Sequence, residues 1–275
     1  MARQLLIFRP GSSSRHLDGD TQNETGQLVF TARNICREIK RPSLLGVLAR
    51  RLLPWNAFKH DSECKHLIRA WSSGRINRKV LGEVFPNIEK CDVRIRMAYS
   101  GVVGWSVDLQ ELVCVLSVLK TIRARKVLEI GTYDGVLTVN LAANIEESGA
   151  VYTVDLPVEQ ARIGSKVGSK FRNEKEAARI RQFFGDSTQL NWGDLGGPFD
   201  RIIIDGCHES CYVEKDPQNA FSNLSSGEVI FWRDYGHFYE VSDVVDRRAK
   251  SFKIVAIKGT RLAVYIADSE NSRVW

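Results

Sequence analysis

The chain has no uninterrupted apolar run of the eighteen or so residues that a membrane span requires. Its opening segment, Met1–Pro10, has an apolar core of only Leu5 to Phe8, too short for a secretory signal, so a cytoplasmic protein without a membrane span is expected. Cysteine is sparse and scattered. Cys36, Cys64, Cys91 and Cys114 stand alone, and Cys207-x-x-x-Cys211 has no second pair near it, which argues against a zinc site and for reduced thiols. Acidic residues are scarce at the start: residues 1–100 carry 18 Lys+Arg against 9 Asp+Glu, and the rest carry 21 against 24. The net charge of +6 is therefore an N-terminal property. Arg41, Arg50, Arg51, Arg69, Arg75 and Arg78 are spread among Leu, Ile and Trp, which reads as the solvated face of a helical segment before it reads as a nucleic-acid patch.

An apolar content of 43% in 275 residues is enough to bury a full core. Residues 10–27 offer it hardly an anchor, so 1–27 is expected to be a mobile tail. From about 43 to 85, Leu44, Leu45, Leu48, Leu52, Leu67, Trp71, Val80 and Leu81 recur at helical intervals broken near Pro54 and Ser72-Ser73-Gly74. Residues 28–100 are thus expected to form a basic helical extension or lid, and 101–275 the main domain. Asp108 with Glu111 makes a capping box, and Leu109, Leu112, Val113, Leu116 and Leu119 then form one apolar stripe.

Five apolar runs follow, at 126–130, 151–155, 180–184, 200–205 and 228–233, the first four about 20 residues apart. They read as parallel strands with crossovers. Two more, 253–257 and 261–267, flank Lys258-Gly259-Thr260 and predict a hairpin. The first strand ends in Glu129-Ile130-Gly131-Thr132-Tyr133-Asp134-Gly135, and Asp155 closes the second. A strand that feeds a helix through glycine places backbone N–H groups beside a ligand, and a carboxylate on the next strand can hold ribose hydroxyls. Three residues separate the two glycines and the third glycine of a dinucleotide fingerprint is missing, so a pyrophosphate is poorly served.

Glu129-x-Gly131-x-x-x-Gly135 followed by Asp155 resembles the first two motifs of the class I S-adenosylmethionine-dependent methyltransferases. Ile204-Asp205-Gly206-Cys207-His208 and the strand ending Trp232-Arg233-Asp234-Tyr235 are similar to a small-molecule O-methyltransferase subgroup with an Ile-Asp-Gly-x-His motif. The resemblance covers roughly residues 105–267. It implies a Rossmann-like, doubly wound α/β fold with a mostly parallel seven-stranded sheet whose last strand is antiparallel, here with an α-helical N-terminal extension. It also implies methyl transfer from S-adenosylmethionine to a hydroxyl of a sugar or secondary metabolite. Glu129, Gly131, Tyr133 and Gly135 would line the methionine end of the cofactor, Asp155 its ribose, and Asp186 with Ser187 its adenine. His208, Asp205 and Asp234 would face the acceptor, and Asp205 with Asp234 could share a Mg2+ ion, as in the catechol-type enzymes, where Asp, Asp and Asn bind it. Tyr235 stands in place of that Asn, Ser210 in place of the subgroup's tyrosine, and Glu228 in place of a second glycine. The Asn/Asp-Pro-Pro-aromatic motif and the Pro-Cys nucleophile of nucleic-acid methylases are missing, which makes nucleic acid the second choice of substrate. A domain that binds the cofactor or a partner without turnover is the remaining alternative.

Overall fold

In the computed structural model the described residues are 75–99 and 105–267, with two short strands nearer the start. The chain divides into two compact units, Met1–Asp61 and Ser62–Trp275. In the first, β1 (Thr21–Gln22) pairs antiparallel with β2 (Leu28–Val29). The rest of the expected tail, and the helices expected over 43–74, lie outside the described residues.

The second unit is built on one sheet of eight strands. In chain order these are β3 (Arg78–Lys79), β4 (Lys126–Ile130), β5 (Ala150–Asp155), β6 (Ile180–Phe184), β7 (Phe199–Ile204), β8 (Leu224–Trp232), β9 (Ile254–Ile257) and β10 (Ala263–Ile266). Across the sheet they run β3-β9-β10-β8-β7-β4-β5-β6. Strands β4 to β8 are mutually parallel, and β10 lies antiparallel between β8 and β9. This is the Rossmann-like methyltransferase arrangement, with the expected hairpin in place. The eighth strand, β3, pairs parallel with β9 through Arg78↔Ala256 and Lys79↔Ile257. Two charged residues paired only through backbone carry no apolar alternation, so sequence periodicity gives no sign of them.

Strand side chains alternate between two cores, as the period of two requires. Val127, Ile203, Val229 and Phe231 enter one core, and Leu128, Ile202, Ile230 and Trp232 the other. The first core is covered by α2 (Leu109–Thr121) and α3 (Val136–Asn144), and the second by α4 (Ser210–Ser222) and α5 (Tyr239–Arg248). Between β5 and β6 the described chain has short 3-10 turns rather than an α-helix. Asp108 caps α2 by accepting from the Glu111 N–H at 2.9 Å. The phase of the stripe differs from the expected one: Leu112, Val115, Leu116, Val118 and Leu119 are buried, while Leu109 and Val113 are exposed. Glu111 is buried along with them.

The segment 75–99, which the sequence reading assigns to the basic extension, packs on this same unit. The short α1 (Leu81–Val84) and Phe85, Ile88, Val93 and Met97 join the first core. Asn140 Oδ1 accepts from the Arg96 N–H and Asn144 Oδ1 from the Arg94 N–H, each at 2.7 Å. Their amides donate back to the Met97 and Arg94 carbonyls. Two asparagines one turn apart thus imitate a β-strand for an extended segment, pairing backbone groups that no neighbouring strand reaches.

Candidate functional site

Strand β4 has β5 on one side and β7 on the other, so the chain reverses its direction of winding between β4 and β7. In open α/β sheets that crevice, at the carboxyl ends of the strands, is where ligands bind. Gly131 and Asp205, the residues just after β4 and β7, touch there: a Cβ on Gly131 would lie 2.1 Å from the Asp205 carbonyl oxygen. Gly131 and Gly135 have φ of 98° and 93°, and Tyr133 between them has 47°, so the turn is wound left-handed. Gly135 caps α3, and a Cβ there would meet the Phe171 ring at 2.6 Å.

Asp155 reaches back to this turn. Its Oδ2 accepts from the Tyr133 N–H and its Oδ1 from the Leu156 N–H, both at 2.8 Å. Burial raises the carboxyl, opposed by these backbone donors. A carboxylate oxygen has room for more than one donor, so both can still accept from ligand hydroxyls. Glu129 behaves differently, being fully buried. Its Oε2 accepts from the Thr138 and Thr153 hydroxyls, each at 2.6 Å, and its Oε1 has no partner. Burial pushes it up to about 8 despite the two threonines. Glu129 therefore braces strand and helix beneath the turn, with one acceptor atom unspent.

The adenine pair expected at Asp186 and Ser187 sits in a capped turn after β6. Asp186 Oδ1 accepts from the N–H and hydroxyl of Thr188, at 2.9 and 2.7 Å. The Ser187 carbonyl accepts from Trp192 Nε1 at 2.9 Å. Ser187 also bonds Asp216, a buried α4 carboxyl that burial pushes up to about 7.

Beyond β7 and β8, where the resemblance implies the acceptor, the carboxyl edge is organised by two arginines, Arg233 and Arg261. Arg233, 3% exposed, sits on β8's strand register two residues beyond Phe231 and enters the first core side. Its Nη1 donates to both Asp205 oxygens at 3.0 Å and to the Trp105 carbonyl at 2.8 Å, its Nη2 to the Ser106 carbonyl at 2.8 Å, and its Nε to Glu111 at 3.2 Å. Arg261, from the hairpin end, holds Glu111 through Nε and Nη2 at 2.9 and 3.0 Å and pairs through Nη1 with Asp234 Oδ1 at 2.9 Å. The Glu111 carboxylate, expected to reach back to the Asp108 N–H, turns to these two guanidiniums instead because a buried charge needs a partner of opposite sign.

Asp234, with φ of 63°, presents Oδ2 to His208 Nε2 at 3.1 Å. Burial would raise its carboxyl, but Arg233, the His208 hydrogen bond and Arg261 hold it well below the usual carboxylate range. Burial raises Asp205 against the pull of Arg233. The His208 ring stacks on Phe238 with centroids 3.9 Å apart, Trp105 stacks on the same Phe238 at 5.7 Å, and the Arg162 guanidinium lies 4.5 Å over the Trp105 ring. His237 meets Phe238 edge-on, and burial lowers its pKa. The three residues expected at the acceptor, Asp205, His208 and Asp234, are thus brought into one ion-paired cluster.

A Mg2+ ion does not fit this arrangement. Asp205 is taken by a guanidinium, both oxygens of Asp234 face Arg261 and His208, and Tyr235 turns away. The Tyr235 hydroxyl donates to Asp246 at 2.6 Å and accepts from the Ile76 N–H at 3.0 Å, tying segment 75–79 to α5. Among the described residues no three His, Cys, Asp or Glu are placed to hold a metal. Glu228 also has a local partner, the buried Arg201 on the neighbouring strand. Ser210 is the first residue of α4.

Residues 128–235 match the family model described as a methyltransferase domain. Catechol O-methyltransferase domain-containing protein 1 of Mus musculus is 26% identical over 99 residues, which cover 35% of this chain and 38% of the mouse protein. The match therefore spans less than half of the curated relative. A solved structure of a putative caffeoyl-CoA O-methyltransferase from Staphylococcus aureus superposes with a TM-score of 0.50 at 14% identity, covering 68% of this chain and 91% of that one. The O-methyltransferase TomG from Streptomyces achromogenes, solved in complex with SAM, gives a TM-score of 0.49 at 15% identity, covering 84% and 99%.

Proposed function

We propose that this chain is a class I S-adenosylmethionine-dependent methyltransferase that methylates a hydroxyl of a small molecule, a sugar or secondary metabolite. The family match over residues 128–235 and the sheet order support the first part. The observation that carries the second is the pairing of His208 with Asp234 at the carboxyl edge, on the strands beside the Gly131–Asp155 turn.

S-adenosylmethionine, when bound, supplies an electrophilic methyl group on a sulfonium. Asp155 would hold its ribose hydroxyls, Gly131, Tyr133 and Gly135 would shape the turn around its methionine end from above Glu129, and Asp186 with Ser187 would border the adenine. The acceptor hydroxyl has to lose a proton as it attacks, and His208 is built to take it. Asp234 only accepts hydrogen bonds in its charged form, so the Nε2 that faces it carries the proton. The lone pair of the neutral ring is then on Nδ1, ready to act as base. Phe238 fixes the ring plane by stacking, and Trp105 continues the same apolar wall. Asp205 is paired with Arg233 and would border the acceptor from β7.

With methyl-labelled S-adenosylmethionine and a panel of phenols, catechols and sugars, the full chain should label at least one hydroxyl acceptor. His208→Ala should then slow transfer by about a hundredfold or more while cofactor affinity stays within about twofold. Cofactor binding with no labelled acceptor in the panel, or a His208→Ala enzyme at full rate, would contradict the assignment.

A further inference from the structure

We infer that Arg233 and Arg261 are the resident cations of the acceptor site, standing where a divalent metal would otherwise bridge Asp205 and Asp234, and that the site works without such a metal. The inference rests on placing the acceptor beside His208. The geometry carries it. The Arg233 guanidinium spans both oxygens of Asp205 and, through Nε, reaches Glu111, while Arg261 spans Glu111 and Asp234. Every carboxylate of the cluster therefore already has a guanidinium beside it, through hydrogen bonds at Glu111 and Asp205 and through charge alone at Asp234 Oδ1.

Binding a hard divalent cation would require oxygen ligands at roughly 2.0–2.6 Å. It would have to displace a guanidinium that is also tied to the Trp105 and Ser106 carbonyls, leaving those acceptors and a buried arginine without partners. Tyr235 offers no further ligand, because its hydroxyl is spent on Asp246 and Ile76.

The charges balance around the proposed chemistry. Glu111, Asp205 and Asp234 bring three negative charges against two on Arg233 and Arg261, leaving one uncompensated. When the acceptor proton moves to His208 Nδ1, as the new O–C bond forms and the S–C bond breaks, the imidazolium beside Asp234 cancels that charge. The fixed arginines thus leave one negative charge to favour the protonated base.

Titration calorimetry of the full chain with manganese chloride, and separately with magnesium chloride, tests this apart from methyl transfer. The wild type should show no saturable heat at millimolar metal, and its melting temperature should be the same in EDTA. Arg233→Asn, which frees Asp205 and offers an amide oxygen between two carboxylates, should gain Mn2+ affinity by tenfold or more. If that variant does not fold, Arg261→Met, which releases the more exposed cation from Asp234, is read instead. A wild type that binds one Mn2+ in a manner lost in Asp205→Asn, or a folded variant with no gain, would overturn the inference. A titration with S-adenosylmethionine in EDTA reports on the methyltransferase reading by itself.

Discussion

Replacing Arg233 with methionine should lower the unfolding free energy by about 3–5 kcal/mol, the cost of removing one partner from a buried ion pair. For a domain of this size that corresponds to a melting temperature roughly 6–20 °C lower. The reason lies in what the side chain leaves behind. Glu111 is fully buried and Asp234 almost so, and Asp205 would lose both of its hydrogen bonds from Nη1. The Trp105 and Ser106 carbonyls would lose their donors too. Arg261→Met should cost less, since its side chain is 25% exposed and water can take over part of its role. Chemical denaturation of the two variants beside wild type measures the difference. An Arg233→Met protein within about 1 kcal/mol of wild type would mean that the three carboxylates are satisfied by other groups.

Gly131→Ala should be at least as damaging. The new Cβ would stand 2.1 Å from the Asp205 carbonyl oxygen, 2.7 Å from its carbon and 3.1 Å from Gly206 Cα, all of them backbone atoms that no rotamer can move aside. The residue also sits at φ of 98°, outside the regions an alanine adopts comfortably. Backbone strain alone costs on the order of 1–3 kcal/mol, and spreading the ends of β4 and β7 adds to it. The expected result is a protein that fails to accumulate, or one that folds with the cofactor turn displaced and cofactor binding lost. Gly206→Ala is the matched control, because its Cβ would meet the Ile130 methyl at 3.2 Å and otherwise only the Ile130 carbonyl oxygen and an Asp216 oxygen at the ordinary distances of 3.8 and 3.9 Å. Equal effects from the two substitutions would show that the approach of Gly131 to Asp205 is not what the fold depends on.

The strands were legible because β4, β5, β7 and β8 are apolar runs buried on both faces, and because Lys258-Gly259-Thr260 marks the hairpin. The glycine turn and Asp155 were legible from residue type and spacing. Three features were not, each for a physical reason. Strand β3 is two charged residues recruited by backbone pairing to the edge of β9. The asparagine ladder acts across more than forty residues of sequence, from Asn140 and Asn144 to the 94–97 backbone. The arginine cluster joins positions 111, 205, 233, 234 and 261, a contact set no local pattern encodes. One sign of it was present: Arg233 continues the buried parity of Val229 and Phe231, and a charge at such a position demands a partner. In the same cluster Asp205 and Asp234 are paired with guanidiniums, while Tyr235, which stands where the catechol-type enzymes have Asn, bonds Asp246 and Ile76 instead.

The measurement closest to the central claim is a calorimetric titration of the purified full chain with S-adenosylmethionine, S-adenosylhomocysteine and NAD. The account predicts one-to-one binding of the first two and none of the third, with Asp155→Ala weakening both by about 1.5–3 kcal/mol, the value of charged hydrogen bonds to hydroxyls. Heat with NAD alone, or an affinity for S-adenosylmethionine indifferent to Asp155, would contradict it.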